Sequence, residues 1–368
     1  MLEVINIVNP NWDVYVKKLK RYDVFYLSSY VKAFQSSGEG APILIVYSNE
    51  NEYAINVVLK RDIAQDVHFR NFMAEGNYFD LISPYGYGGF IGNVSNWELL
   101  MDEWQVFCKA NGFVSEFVRF HLFSGCEKHY TGIVESHTHN VVRNLEIPSD
   151  EMWMDFKAKV RKNVKKANNF GLKVICDDTG EHLEDFLRIY YGTMDRNDAA
   201  DNFYFTRDFF EKILEMKDNV MLFHVIYEDK IISTEMVIYG AENAYSYLGG
   251  TDREYFNLRP NDLLKYKIIK WAKDKGLKNF VLGGGYGADD GIFQYKTCLA
   301  PNGIVDFYIG KKVLDRDVYM ELCKMRNLEM DTTKLENGFF PAYRRCGGGV
   351  IILLAFNASF TRIREVAA

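Results

Sequence analysis

Paired cysteines, long apolar runs and a strong excess of charge are all missing from this chain. Its six cysteines, Cys108, Cys126, Cys176, Cys298, Cys323 and Cys346, have no CxxC or CxxxxC spacing. That argues against a disulfide framework and for reduced, mostly buried thiols in a cytosolic protein. No apolar run approaches the roughly 20 residues that span a bilayer. The longest, Val350 to Phe356, has seven residues and suits a buried strand or a sticky tail. No transmembrane segment is expected, and peripheral contact with a membrane stays open. Met1-Leu2-Glu3-Val4-Ile5-Asn6 lacks a basic region followed by an apolar core, so no signal peptide is expected. The net charge of −6 excludes a protein that binds polyanions with its whole surface, leaving that work to a local basic patch. No GxSxG elbow, P-loop or HExxH helix occurs. His137 and His139 stand two apart in what reads as a polar loop without other ligands, so no metal site is expected.

What is present suits two α/β domains. A length of 368 residues makes two domains the prior, and 48% apolar residues let each bury a core. Helices are expected over Trp12–Leu19, from Ser28, over Trp97–Asn111 and over Phe209–Met216. Strands are expected over Ile43–Tyr47, Tyr53–Lys60 and Phe113–Phe120. A helix capped by Ser149 or Asp150 is expected to carry Lys157, Lys159, Arg161, Lys162, Lys165 and Lys166 and to end at Gly171. Leu183, Phe186, Leu187, Tyr190, Tyr191 and Met194 follow helical spacing. A three-stranded meander covers Val220–Tyr227, Ile231–Tyr239 and Ala244–Leu248, followed by a helix over Pro260–Lys275. We expect domains at 1–147 and 148–312, a C-terminal segment at 313–345 packing on the first, and an accessory tail at 346–368.

The richest stretch runs from Val281 to Lys296, where a short strand enters Gly283-Gly284-Gly285, an acidic helix start follows, and Lys296 supplies a positive charge. Glycines there let a ligand approach main-chain N–H groups. Gly283-x-Gly285-x-x-Ala288 also matches a dinucleotide fingerprint, with Asp306 near the end of the next strand. Against that reading, Asp289 and Asp290 would repel a pyrophosphate and the helix is short. The basic run at 157–166 is either a solvated face or a surface that contacts phosphates. Arg119 and His121 are either a catalytic pair or partly buried structural groups. Tyr85-Gly86-Tyr87-Gly88-Gly89 is either a tight loop or the lining of a ligand groove. Arg196 is either a surface charge at a helix end or a clamp for carboxylate or phosphate.

Together these segments resemble the Fem family of peptidoglycan-bridge aminoacyltransferases and the Fem-like acyltransferases of the GNAT superfamily. The likeness rests on Ser83-Pro84-Tyr85-Gly86-Tyr87-Gly88-Gly89, Phe117-Val118-Arg119-Phe120-His121, and Arg161 with Lys165 and Ala167. It continues through Thr193-Met194-x-Arg196 with Phe203-Tyr204-Phe205, Arg259-Pro260-Asn261, Trp271-Ala272 and Gly276. Leu282–Gly285 with Gly291-Ile292-Phe293-x-Tyr295-Lys296 and Phe340-Pro341-Ala342-Tyr343-Arg344 complete it. It covers roughly residues 80 to 344; the long coiled-coil arm of some members is absent.

The resemblance implies two GNAT-like α/β domains with mixed, largely antiparallel sheets flanked by helices, and a C-terminal helix returning to the first. It implies transfer of an acyl or aminoacyl group to an amine in the cytoplasm. Aminoacyl-tRNA would be the donor and a peptidoglycan precursor the acceptor, with no permanently bound cofactor. An acyl-CoA-dependent N-acyltransferase acting on an amino sugar or amino acid, and a non-catalytic binding module, remain alternatives. In this scheme Lys296 and the N–H groups of Gly283, Gly284 and Gly285 stabilise the oxyanion. Arg196 binds an acceptor carboxylate or phosphate, and Tyr85, Gly86, Tyr87 and Gly88 line the acceptor site. Arg119, Tyr204 and Asn261 also contact substrate, and Arg161, Lys162 and Lys165 face donor phosphates. No residue stands out as a general base.

Overall fold

The computed structural model describes residues 1–285, 290–328 and 338–345; Tyr286 to Asp289 of the glycine-rich stretch, Cys346 and the tail expected at 346–368 lie outside them. The chain divides into two compact units. One comprises Met1–His137 with the described residues from Asp306 onward, and the other Thr138–Val305.

In chain order the first unit contributes β1 (Leu2–Asn6), α1 (Trp12–Lys17), α2 (Ser28–Ser36), β2 (Ala41–Ser48) and β3 (Tyr53–Asp62). Then come β4 (Phe79–Ile82), β5 (Ile91–Asn93), α3 (Trp97–Ala110) and β6 (Phe113–Arg119). β7 (Ile133–Asn144) crosses into the second unit. That unit holds α4 (Ser149–Asp155), α5 (Ala158–Asn169), β8 (Lys173–Asp177), α6 (Leu183–Arg196), α7 (Arg207–Leu214) and β9 (Val220–Tyr227). β10 (Lys230–Tyr239), β11 (Asn243–Thr251), α8 (Pro260–Asp274), β12 (Asn279–Gly283) and α9 (Gly291–Leu299) follow. β13 (Ile304–Val313) leads back to the first unit and α10 (Arg316–Met325).

The first unit orders its strands β1-β2-β3-β4-β6-β13, with β5 on β3. Only β4 and β6 run parallel; the other pairs are antiparallel. α3 is capped by Asn96, whose side chain accepts the Leu99 N–H at 3.0 Å. It buries Leu100, Met101, Trp104 and Cys108 against Ile43, Ile45 and Val58. α10 packs Tyr319, Leu322 and Cys323 against Ile63, Phe69 and Val114, so the C-terminal helix returns to the first domain as the resemblance implies.

In the second unit the order is β7-β12-β11-β10-β9-β8, antiparallel except for β11 with β12. Glu228 and Asp229, both at positive φ, make the two-residue turn between β9 and β10. α5 and α8 pack Val160, Val164, Leu263, Leu264 and Ile268 with Phe223 and Val237 of the sheet. α6 and α7 join through Phe186 and Phe210, whose rings lie 5.3 Å apart edge to face. Both units are mixed, largely antiparallel sheets flanked by helices.

Three local expectations need correction. The basic segment is not one helix but two, broken at Phe156 and Lys157, both extended. Neither Ser149 nor Asp150 caps it, because Pro148 holds the N-cap position of α4. At the break the Phe156 ring is buried in the core, 6.2 Å edge to face from Tyr266 of α8. His137 and His139 lie on strand β7, not in a loop.

Candidate functional site

The second unit contains a cavity of about 960 Å³. Its walls come from the end of α6, β10, β11, the turn before α8, the first turns of α8, α5 and α9. Arg196, Arg253, Arg259 and Lys159 supply cations to the wall, with Lys265 and Lys296 beside the two acids Glu235 and Asp262. Arg253, Arg259 and Lys159 are exposed, whereas Lys265 and Lys296 are buried. Three of the wall's cations are therefore open to solvent, and two amine groups are buried. Pro260 at the first helical position and Arg259 in the left-handed region before it start α8 at this wall. A helix N-terminus there adds partial positive charge.

Lys296 lies on the buried face of α9. Asp290 caps that helix by accepting the Ile292 N–H at 2.8 Å. The Lys296 ammonium donates to the Gly284 carbonyl at 2.7 Å. Burial pulls its pKa down to about 7, aided by Lys265 and opposed by Asp290 and Glu235. It is thus a group that changes charge near neutral pH. Lys265 donates to Glu235 Oε1 at 2.6 Å and to Ser246 at 2.5 Å. Asn261 donates to the Tyr295 hydroxyl at 3.1 Å. Arg196 lies over the Phe256 ring, 5.2 Å from its centroid, and burial, then Arg253, lowers its pKa.

Residues 154–297, which include all the cavity's lining residues but Cys298, match the acetyltransferase (GNAT) domain family. The second unit carries a GNAT acetyltransferase domain. In fold, the whole chain is similar to FemX, with a TM-score of 0.66 and 15% identity, covering 87% of this chain and 99% of that one. It is also similar to a conserved protein of unknown function from Bacteroides thetaiotaomicron (TM-score 0.56, 10% identity, 84% and 99% covered). A third similar structure is L-PGS from Bacillus licheniformis (TM-score 0.52, 12% identity, 89% and 98% covered). No curated protein matches the chain. Residues 154–297 thus carry the acetyltransferase match, and the chain shares the fold of these structures.

Among the sequence-derived candidates, Lys296, Arg196 and Asn261 come together on the wall of the GNAT-domain cavity. Gly283, Gly284 and Gly285 are not on that wall; Gly284 offers Lys296 a carbonyl, not an N–H donor. Their small size has a packing reason: a Cβ on Gly285 would come within 2.4 Å of the Asp290 carboxylate. Asp290, held as the cap of a nine-residue helix, also fills the place a dinucleotide phosphate would take. Arg161 lies outside the cavity lining. Its guanidinium donates to the carbonyls of Met154 and Phe156, closing the end of α4. Lys162 and Lys165 are exposed on α5 and outside the cavity lining. Tyr204 pairs with Asp195 at the surface, 3.0 Å away.

The Tyr85–Gly89 loop belongs to the first unit and is a packed turn. Gly86 has φ +112°, and a Cβ there would lie 2.2 Å from the Phe25 ring. Tyr87 is buried between Phe25 and Phe307, with centroids at 5.2 and 5.5 Å. The Gly88 N–H donates to the Arg119 carbonyl at 2.6 Å and the His121 N–H to the Gly88 carbonyl at 2.9 Å. Arg119 and His121 are both buried in the first unit. Arg119 is buried and donates to the Ser83 carbonyl at 3.1 Å, and burial lowers its pKa to about 10. His121 Nε2 meets Asp23 at 2.9 Å.

Sequence reasoning missed Glu235, Asp262, Lys265, Arg253 and the cavity role of Lys159. A signal existed for two of them. Glu235 interrupts an otherwise uncharged run in β10, and Lys265 sits on the helix face shared by Leu264 and Ile268. A charge placed on a core-facing position needs a partner or a function.

Proposed function

We propose that the GNAT-domain cavity is where an aminoacyl group carried by tRNA passes to the amine of an acceptor such as a peptidoglycan precursor. The observation that carries this reading is the buried, pKa-lowered Lys296 in a cavity whose exposed wall is cationic. An amine attacking an ester carbonyl builds negative charge on oxygen, and an ammonium in a dry site stabilises that charge far better than water does. Arg196, Arg253, Arg259 and Lys159 suit the phosphates of the donor, and the α8 N-terminus adds to them. Lys162, Lys165 and Lys166 extend that charge along α5, on the helix that sends Lys159 to the cavity. A long polyanion would use this extension and a small one would not, which favours RNA.

Acyl-CoA is the second donor reading, favoured by the acetyltransferase domain match. Both donors keep the reaction in the cytoplasm without a bound cofactor. The test is a titration with alanyl-tRNA and with acetyl-CoA, each followed by transfer to a lysine-bearing peptidoglycan precursor. The reading expects alanyl-tRNA to bind more tightly as salt falls and to give amide product. Product from acetyl-CoA alone replaces the donor, and binding of neither overturns the reading.

A further inference from the structure

An amine acceptor reaches a protein mainly as an ammonium ion. Before it can attack a carbonyl, it must lose a proton. A cavity with six cations on its wall repels that ammonium unless a carboxylate receives it. Two carboxylates line the cavity, and their surroundings differ. Glu235 is already neutralised by Lys265 at 2.6 Å. Asp262 is 7% exposed and forms no ion pair among the described residues. Asn163 on α5 donates to its Oδ2 at 3.1 Å, and its Oδ1 has no hydrogen-bond partner among the described residues.

We propose that Asp262 is the catalytic residue that receives the acceptor amine, binding its ammonium through Oδ1 and taking the proton before attack. The inference rests on the cavity being the transfer site. The steps balance. The acceptor R–NH₃⁺ gives a proton to the Asp262 carboxylate, leaving R–NH₂ and a carboxylic acid. The amine nitrogen bonds to the carbonyl carbon and the electron pair of C=O moves to oxygen. The carbonyl re-forms as the bond to the donor's leaving oxygen, or sulfur in a thioester, breaks. The nitrogen's second proton passes to that leaving atom, and Asp262 returns its own proton to water.

Geometry and electrostatics agree on the role. Asp262 sits in the first turn of α8. Lys159 and Asn163 face it from α5, Arg259 from the preceding turn, and Tyr295 from α9. Lys296, Lys265 and Glu235 share the same cavity. Burial raises the Asp262 pKa to about 6, while the Asn163 hydrogen bond and then Arg259 and Lys159 act in the opposite direction. A base with that pKa is mostly ionised near neutral pH yet basic enough to take a proton.

The experiment measures single-turnover transfer from alanyl-tRNA and from acetyl-CoA to a lysine-bearing peptidoglycan precursor. Wild type, Asp262→Asn and Asp262→Glu are compared from acid to alkaline pH. Near neutral pH, Asp262→Asn should lose roughly 100-fold in rate with donor affinity unchanged, and Asp262→Glu should recover part of it. The deficit should close as pH approaches the lysine amine's pKa of about 10.4, where the acceptor is already neutral. A deficit constant with pH, or no deficit, overturns the assignment and leaves the transferase reading standing. Absence of transfer by wild type from either donor overturns both. A second measurement needs no variant: with an acceptor carrying 4-aminophenylalanine in place of lysine, whose aryl amine is neutral, the wild-type rate should lose its fall below about pH 6. A fall that persists unchanged also overturns the assignment.

Discussion

Replacing Lys296 by methionine should make the protein more stable near neutral pH while impairing it as an enzyme. The lysine is 7% exposed, and burial lowers its pKa from 10.5 to about 7. At about 1.4 kcal/mol per pKa unit, keeping the charge in the folded state costs up to about 5 kcal/mol. The unfolded chain holds that proton up to about pH 10.5, the folded chain only up to about 7. Between these values the unfolded state binds more protons, so this group makes stability rise with pH. The penalty is present in full below about pH 7 and is released as pH climbs towards 10.5. Methionine has similar length and no charge. Its cost is the unpaired Gly284 carbonyl, about 1–3 kcal/mol. The expected net gain is about 2–4 kcal/mol on the acid side of neutrality, shrinking at alkaline pH. Urea unfolding at about pH 6 and about pH 9.5 reads both quantities. A variant less stable than wild type on the acid side, or a difference that does not change with pH, refutes the reasoning.

Three other substitutions test the framework. Asp80→Ala removes a buried carboxylate that holds Arg61 Nε and Arg344 Nε, each at 2.5 Å; it should cost about 3–5 kcal/mol, measured by urea unfolding of the first unit. Gly86→Ala forces a methyl into the Phe25 ring at positive φ and should cost about 3 kcal/mol, read as a lower thermal midpoint. Arg259→Ala should weaken donor binding and reduce the slope of log affinity against log salt by about one, measured by titration at several salt concentrations.

The elements with clean periodicity were legible in the sequence. α6 buries Leu183, Phe186, Leu187, Tyr190 and Met194 of the six residues its spacing picks out, Tyr191 being part-exposed, and α8 and α3 end within a residue of their expected bounds. Short strands such as β4, β5 and β8 were not legible, because three to five residues carry too little alternation to stand out. The break between α4 and α5 was hidden as well: the residues around Phe156 and Lys157 carry no glycine or proline to mark it. In the site, Lys296 was readable from its place after a glycine-rich turn. Asp262 was not, since an acid in the first turn of a helix normally serves the helix dipole. The glycines at 86 and 285 drew attention as ligand approaches, yet each makes room for a neighbouring side chain. Sequence marks where backbone must come close, not whether ring, carboxylate or substrate fills the space.

The most direct test of the account is single-turnover transfer by wild type and Lys296→Met with a saturating donor. Loss of one electrophilic donor to the developing oxyanion should slow the chemical step by roughly 100- to 1,000-fold, with donor affinity little changed. Equal rates in the two proteins would contradict it.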